Sequence, residues 1–210
     1  MEEENAKTLK TGTTTVGLVC KNGVVLASDR RATMGFLIAS KDIDKIYPLS
    51  DSIAMTIAGG VGDAQTLVRW MQAEIKLYSL RQGKKMSVSS AATLLANILV
   101  QYKYYPFFVQ LLVGGYDNGK PRLYSVDMLG GVTEEKLAST GSGSPVAYGV
   151  LEELYKEEAL TADNLRVAAK AVSAAMKRDA ATGERVDLVV VDDNGFRRYS
   201  KDEVRQILAS

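Results

Sequence analysis

Apolar and β-branched residues fill positions 13–21 (TTTVGLVCK) and 24–29 (VVLASD), with Asn22-Gly23 between them. That pattern predicts a hairpin with a two-residue turn. Lys21 would then pair with Val24, Asp29 would lie opposite Val16, and Ala32 opposite Thr13. Val16, Leu18 and Cys20 fall on one face of the first strand, and Thr15, Gly17 and Val19 on the other, so both faces call for cover. Shorter strands are expected over 36–40, 43–49 and 52–58, the last broken by Gly59-Gly60-Val61-Gly62. The period then changes to three and four over 63–81, where Leu67, Trp70, Met71, Leu77 and Tyr78 predict a helix stopped by Gly83. Ser87 is placed to cap a second helix running to about 102.

Strands at 107–116 and 120–127 bracket Asp117-Asn118-Gly119 as another hairpin, and 132–139 reads as one further strand. Ser144 ahead of Pro145 marks a helix start with a capping hydroxyl, and Thr161 opens a helix to about 178. A third hairpin spans 184–191 and 196–199, followed by a Ser200/Glu203 capping box and a short helix. Hairpins dominate and no regular βαβ alternation occurs. The expected fold class is therefore α+β, with antiparallel sheets and helices packed outside them.

Composition narrows the chemistry. The 210 residues carry 26 basic and 25 acidic side chains, for a net charge of +1, and give no sign of a nucleic-acid surface. No apolar run reaches the ~18 residues of a membrane span, and MEEENAKTLKTG lacks the apolar middle of a secretory signal, so a cytoplasmic protein is expected. The single cysteine, Cys20, excludes an internal disulfide. The chain has no histidine. That removes the usual base of serine and cysteine hydrolases and any histidine-ligated zinc, and no metal or other cofactor is expected. A base near neutral pH would have to be a carboxylate, a lysine or an α-amino group, and the last titrates at about 7.7 to 8.0.

Residues 10–17 (KTGTTTVG) have two readings. One is a polar tail entering a strand, where threonine is a good strand former. The other is a cleavage point at Gly12-Thr13, which would create a residue with both a nucleophilic hydroxyl and a free amine to serve as its base. Gly12 would let the chain turn so that the Thr13 hydroxyl approaches the preceding carbonyl.

The motifs TTTVGLV, ASDRRAT, TIAGGVGDAQ, LLVGGYD, STGSGSPVAYGVLE and KRDAATG, in this order and spacing, resemble the archaeal-type β subunits of the 20S proteasome core from Gly12 to about residue 200. The resemblance implies an N-terminal nucleophile hydrolase fold, a four-layer αββα sandwich of two antiparallel sheets flanked by helices. It divides the chain into a self-cleaved propeptide, 1–12, and one catalytic domain, 13–210. It implies a threonine endopeptidase with Thr13 as nucleophile, Asp29 as acidic partner, Lys45 as active-site lysine, Gly59 N–H as oxyanion donor, Ser142 as an active-site hydroxyl and Asp179 as the acid orienting it. Thr182 stands where the family usually has serine.

Ala32, Ile57 and Val61 match the lining of the first side-chain pocket, implying a preference for apolar or aromatic residues before the cut. Thr33 matches a residue whose backbone pairs with substrate. The implied partners are α subunits and other β subunits in stacked heptameric rings, a regulatory unfoldase ATPase, and unfolded proteins as substrates.

Blander readings accompany each position. Asp29 and Lys45 could be surface charges, residues 59–62 a tight turn, and Ala32, Ile57 and Val61 core. The predicted register also puts Asp29 on the Thr14 face, away from Thr13. Residues 140–145 could bind an anion ahead of a helix, but the phosphate-loop motifs fail, since Gln65 breaks GxGxxG and no GK[ST] occurs. The cluster Tyr102, Tyr104, Tyr105, Phe107 and Phe108 is either core or a partner surface. Competing functions are a silent scaffold of the same architecture, a small-molecule amidase of the same wider class, and a phosphate-binding module.

Overall fold

The computed structural model of the chain describes residues 12–209. The expectation of a removable leader therefore falls outside the described residues except at Gly12. The chain runs β1 (Thr15–Cys20), β2 (Gly23–Asp29), β3 (Ala32–Met34), β4 (Leu37–Ser40), β5 (Ile46–Ser50), β6 (Ile53–Gly59), α1 (Val61–Gln82), α2 (Val88–Gln101), β7 (Val109–Asp117), β8 (Lys120–Val126), β9 (Val132–Glu135), β10 (Leu137–Thr140), α3 (Ser144–Leu154), α4 (Thr161–Arg178), β11 (Val186–Asp192), β12 (Gly195–Arg198) and α5 (Lys201–Ala209).

Two five-stranded antiparallel sheets form, ordered β10-β1-β2-β11-β12 and β5-β6-β7-β8-β9, with β3-β4 as a separate hairpin. Three apolar layers hold them. Met55, Ile57, Leu111 and Val113 of the second sheet pack under Leu67, Met71, Leu95 and Leu99 of α1 and α2. Val16, Leu18, Val25 and Leu188 of the first sheet pack under Ala147, Leu151, Ala168 and Val172 of α3 and α4. Between the sheets lie Val24, Leu26, Leu112, Leu123, Val189 and Val191, all fully buried. At about 1.5–3 kcal/mol per buried side chain of this size, the middle layer and the layer under α3 and α4 together explain why β1 and β2 are apolar on both faces up to Asp29. The result is the αββα sandwich expected from the resemblance.

The structure departs from the sequence reading at several points. The first turn is Lys21-Asn22, because Cys20 pairs with Gly23 and Thr15 with Ser28. Gly23 belongs to β2, where the Val191 carbonyl of β11 would lie 2.7 Å from a Cβ. The helix after the glycines starts at Val61, two residues early. Ser144 is the first residue of α3, not its cap, and Gly143 holds the cap position without a side-chain bond.

The single strand expected over 132–139 is two. Glu135 pairs with Leu123 in one sheet and Leu137 with Leu18 in the other, so the chain changes sheets at Lys136. The Ser200/Glu203 capping box forms in both directions, and Gly83 closes α1 in the left-handed region.

Candidate active site

Thr13 lies just ahead of β1 and is 3% exposed. Its hydroxyl donates to the Gly12 carbonyl at 2.7 Å, so the oxygen sits beside the peptide it would attack. Position 12 has no room for a side chain, since a Cβ there would fall 1.7 Å from the Ala181 Cβ and 2.6 Å from its Cα. Lys45, in the loop entering β5, points its Nζ at the same carbonyl, 3.4 Å away, and at Asp29 Oδ1, 2.7 Å away.

Asp29 ends β2 fully buried and accepts from four donors: Lys45 Nζ and the backbone N–H groups of Thr14, Arg31 and Gly183. The register slip explains its reach. Asp29 lies beside Thr14, as the Asp29 N–H to Thr14 carbonyl bond shows, and its carboxylate holds the Thr14 N–H and the Lys45 ammonium that reaches the Gly12 carbonyl. Burial lowers the Lys45 pKa from 10.5, and the attraction of Asp29 offsets only part of that.

On the other side of Thr13, its backbone N–H donates to Ser142 Oγ at 3.3 Å. Ser142 has one proton, and the 2.5 Å contact with Asp179 Oδ2 takes it, leaving a lone pair to accept from Thr13 N. Thr182 donates to the same Asp179 oxygen and shares a 2.8 Å bond with the Thr14 hydroxyl. Its hydroxyl thus supports Asp179 and Thr14. Thr14 was not singled out in the sequence. It was hidden among three adjacent threonines, and only the buried position of its hydroxyl separates it from a strand former.

Ile57 N donates to the Lys45 carbonyl, and two residues on Gly59 leaves the strand conformation with a φ of 134° and lines the same cleft as Thr13 and Lys45. Beside it opens a narrow cleft lined by Ala32, Ile57, Val61 and Ala64 with Thr13, Lys45 and Tyr47 around them. Thr33 lies outside that cleft, and its hydroxyl accepts from Gly12 N at 3.0 Å.

An ionic cluster missed in the sequence holds the Lys45 loop. Arg30, next to Asp29, binds Asp42, Asp44 and Asp187. Arg198 of β12 binds Asp44, Asp187 and the Ile46 carbonyl. The motif ASDRR offered a signal, a second arginine beside the acid, but its partners are scattered over 150 residues.

Cys20 is not a rival nucleophile. Burial pushes its thiol up to about 11, and it packs against Asn164 on the far side of β1. Among the described residues no group of acidic, histidine or cysteine side chains could hold a metal, and no helix is long and apolar enough to cross a membrane. The aromatic cluster divides. Trp70, Tyr102 and Phe107 stack together, while Tyr104 and Tyr105 stand 81% and 88% exposed and Phe108 half so.

Comparison with known proteins gives this arrangement its context. A family model described as Proteasome subunit matches residues 9–191. The proteasome subunit beta of Archaeoglobus profundus is 53% identical over 200 residues, covering 95% of this chain and 93% of that protein. Its counterpart in Methanosarcina barkeri is 51% identical over 208 residues, 99% of this chain and 98% of the other. That of Methanosarcina mazei is 49% identical, with 96% of each chain covered. With the family model running along most of its length, this chain belongs to the proteasome subunit family, among its β-type threonine endopeptidases.

Proposed function

We propose that the chain matures by cutting its own Gly12-Thr13 bond and then hydrolyses peptide bonds with Thr13 as a terminal nucleophile. The observation that carries this reading is the Thr13 hydroxyl at 2.7 Å from the Gly12 carbonyl oxygen, with the Lys45 Nζ on the same oxygen.

In the first step Thr13 Oγ attacks the Gly12 carbonyl carbon and its proton passes to water. The carbon–nitrogen bond then breaks, the nitrogen takes a proton, and an ester joins Gly12 to Thr13. Water cleaves that ester, releasing the Gly12 carboxylate and a Thr13 with free hydroxyl and free amine. On later substrates the amine accepts the hydroxyl proton, directly or through a water, at a pKa near the working pH.

Lys45, held as an ammonium by Asp29, favours the deprotonated hydroxyl. The Gly59 N–H faces the oxyanion, a contribution of about 2.7–4 kcal/mol for such donors. Ser142 and Asp179 orient the amine, with Thr182 behind them. The apolar walls Ala32, Ile57 and Val61 favour apolar or aromatic residues before the cut, and the Thr33 backbone pairs with an extended substrate.

Assembly with other proteasome subunits follows from the family. The finer picture we infer is stacked heptameric rings with α partners, fed with unfolded proteins by an unfoldase ATPase. The exposed Tyr104, Tyr105 and Phe108 suit such a contact surface.

The test is the intact mass of the chain recovered from an assembled, peptide-cleaving particle. A mass of residues 13–210 is expected, and Thr13→Ala should leave the chain full length and abolish turnover. A full-length chain in a particle that still cleaves peptides would remove the proposed base and end this reading.

A further inference from the structure

We infer that the side-chain hydroxyl of Thr33 is a positioning group for self-cleavage, clamping the last amide of the leader while the Gly12 carbonyl is attacked; this rests on the self-processing reading above. A strand sends neighbouring side chains to opposite faces, so Ala32 in the cleft wall should turn Thr33 away from the site. The β3-β4 pairing shifts register between these two residues. The extra residue is Ala39 of β4, so β3 keeps its alternation and Thr33 does turn from the cleft wall. It is 7% exposed there, and its hydroxyl accepts from the Gly12 N–H at 3.0 Å while the Gly12 carbonyl faces Thr13 Oγ1.

The Gly12 residue is therefore gripped at both ends. Its carbonyl oxygen accepts from Thr13 Oγ1 and Lys45 Nζ, its N–H is held by Thr33, and Ala181 closes the side where a Cβ would be. Fixing a reacting carbonyl against its nucleophile is worth more than the bond energies alone, because the orientation is set before the step. The grip on Gly12 exists only before the cut. Once residues 1–12 depart, the hydroxyl loses this partner.

The hydroxyl is separable from the Thr33 backbone by substitution. Thr33→Val keeps the shape and removes the acceptor, while Thr33→Ser keeps the acceptor and removes a methyl. The measurement is a time course of intact mass for the full-length chain, following loss of residues 1–12 in the parent and both variants. Thr33→Val should process about tenfold slower, the size expected for one hydrogen bond, and Thr33→Ser within about threefold of the parent. Parent-like processing by Thr33→Val, or a Thr33→Ser as slow as Thr33→Val, would overturn the inference. A parent that never loses residues 1–12 would overturn the self-processing reading itself, and this inference with it.

Discussion

Gly12 is the residue whose substitution is easiest to forecast. A Cβ at this position meets the Ala181 backbone as well as its methyl, so no rotamer relieves the clash. Gly12→Ala should displace the carbonyl from Thr13 by a large fraction of an ångström and slow processing roughly 100-fold, the usual scale for a misplaced reacting group. Intact mass over time checks it, and a variant processing at the parent rate would refute the steric argument.

Lys45 carries a pH prediction. Burial outweighs the attraction of Asp29 and leaves its pKa below 10.5. The ammonium is lost as pH rises through that lowered value. Peptidase activity of the mature particle should therefore fall on the alkaline side before pH 10.5, and a profile still flat there would exclude a role for the charge.

At this scale the residue types were readable and their contacts were not. Motif order pointed to Thr13, Asp29, Lys45, Ser142 and Asp179, and these do cluster. That Asp29 reaches the Gly12 carbonyl by way of Lys45, and that Thr33 offers its hydroxyl to Gly12, depends on burial and register that no motif encodes.

Elements bounded by strong local chemistry were legible from the residues alone. Ser87 and Gly83 fixed helix ends, and Asn118-Gly119 take the positive φ values that a tight hairpin turn demands. The failures share one cause, a tertiary contact overriding a local signal. Asn22-Gly23 looked like a turn, but the approach of the Val191 carbonyl claims Gly23 for the strand. Residues 132–139 read as one strand because both sheets accept the same β-forming residues, and nothing local marks Lys136 as the crossing.

The capping box of α5 supplies a prediction of its own. Ser200→Ala removes the hydroxyl that receives Glu203 N–H and should cost about 1 kcal/mol in a denaturant titration. Turnover should be unchanged, since α5 packs through Val204 far from Thr13.

Across the molecule, the site is assembled from both sheets, and its weakest joint is ionic. Asp29 closes a strand of one sheet, while Lys45 leads into the edge strand of the other. Arg30 ties the two through Asp42, Asp44 and Asp187. Arg30→Met leaves Asp187 buried with Arg198 as its remaining cation, and should destabilise the fold by about 3 kcal/mol, the low end for a broken buried pair. Processing should slow as well, because the Lys45 loop loses an anchor. Denaturant titration and intact mass together check this, and a variant unchanged in both would show that the cluster is surface decoration.

The change of sheets at Lys136 has a consequence for how the sandwich opens. Strands β9 and β10 are edges of different sheets joined through one residue, which makes a spine. Strands β5 and β12, also edges of different sheets, are fastened by Arg198 reaching the Ile46 carbonyl and Asp44, which makes a clasp. A book built this way cannot part at its binding without breaking the thread, so it opens at the clasp. The pages nearest the clasp carry Lys45. Whatever loosens those few charged contacts unsettles first the page on which Lys45 is written, while the layers by the spine stay shut.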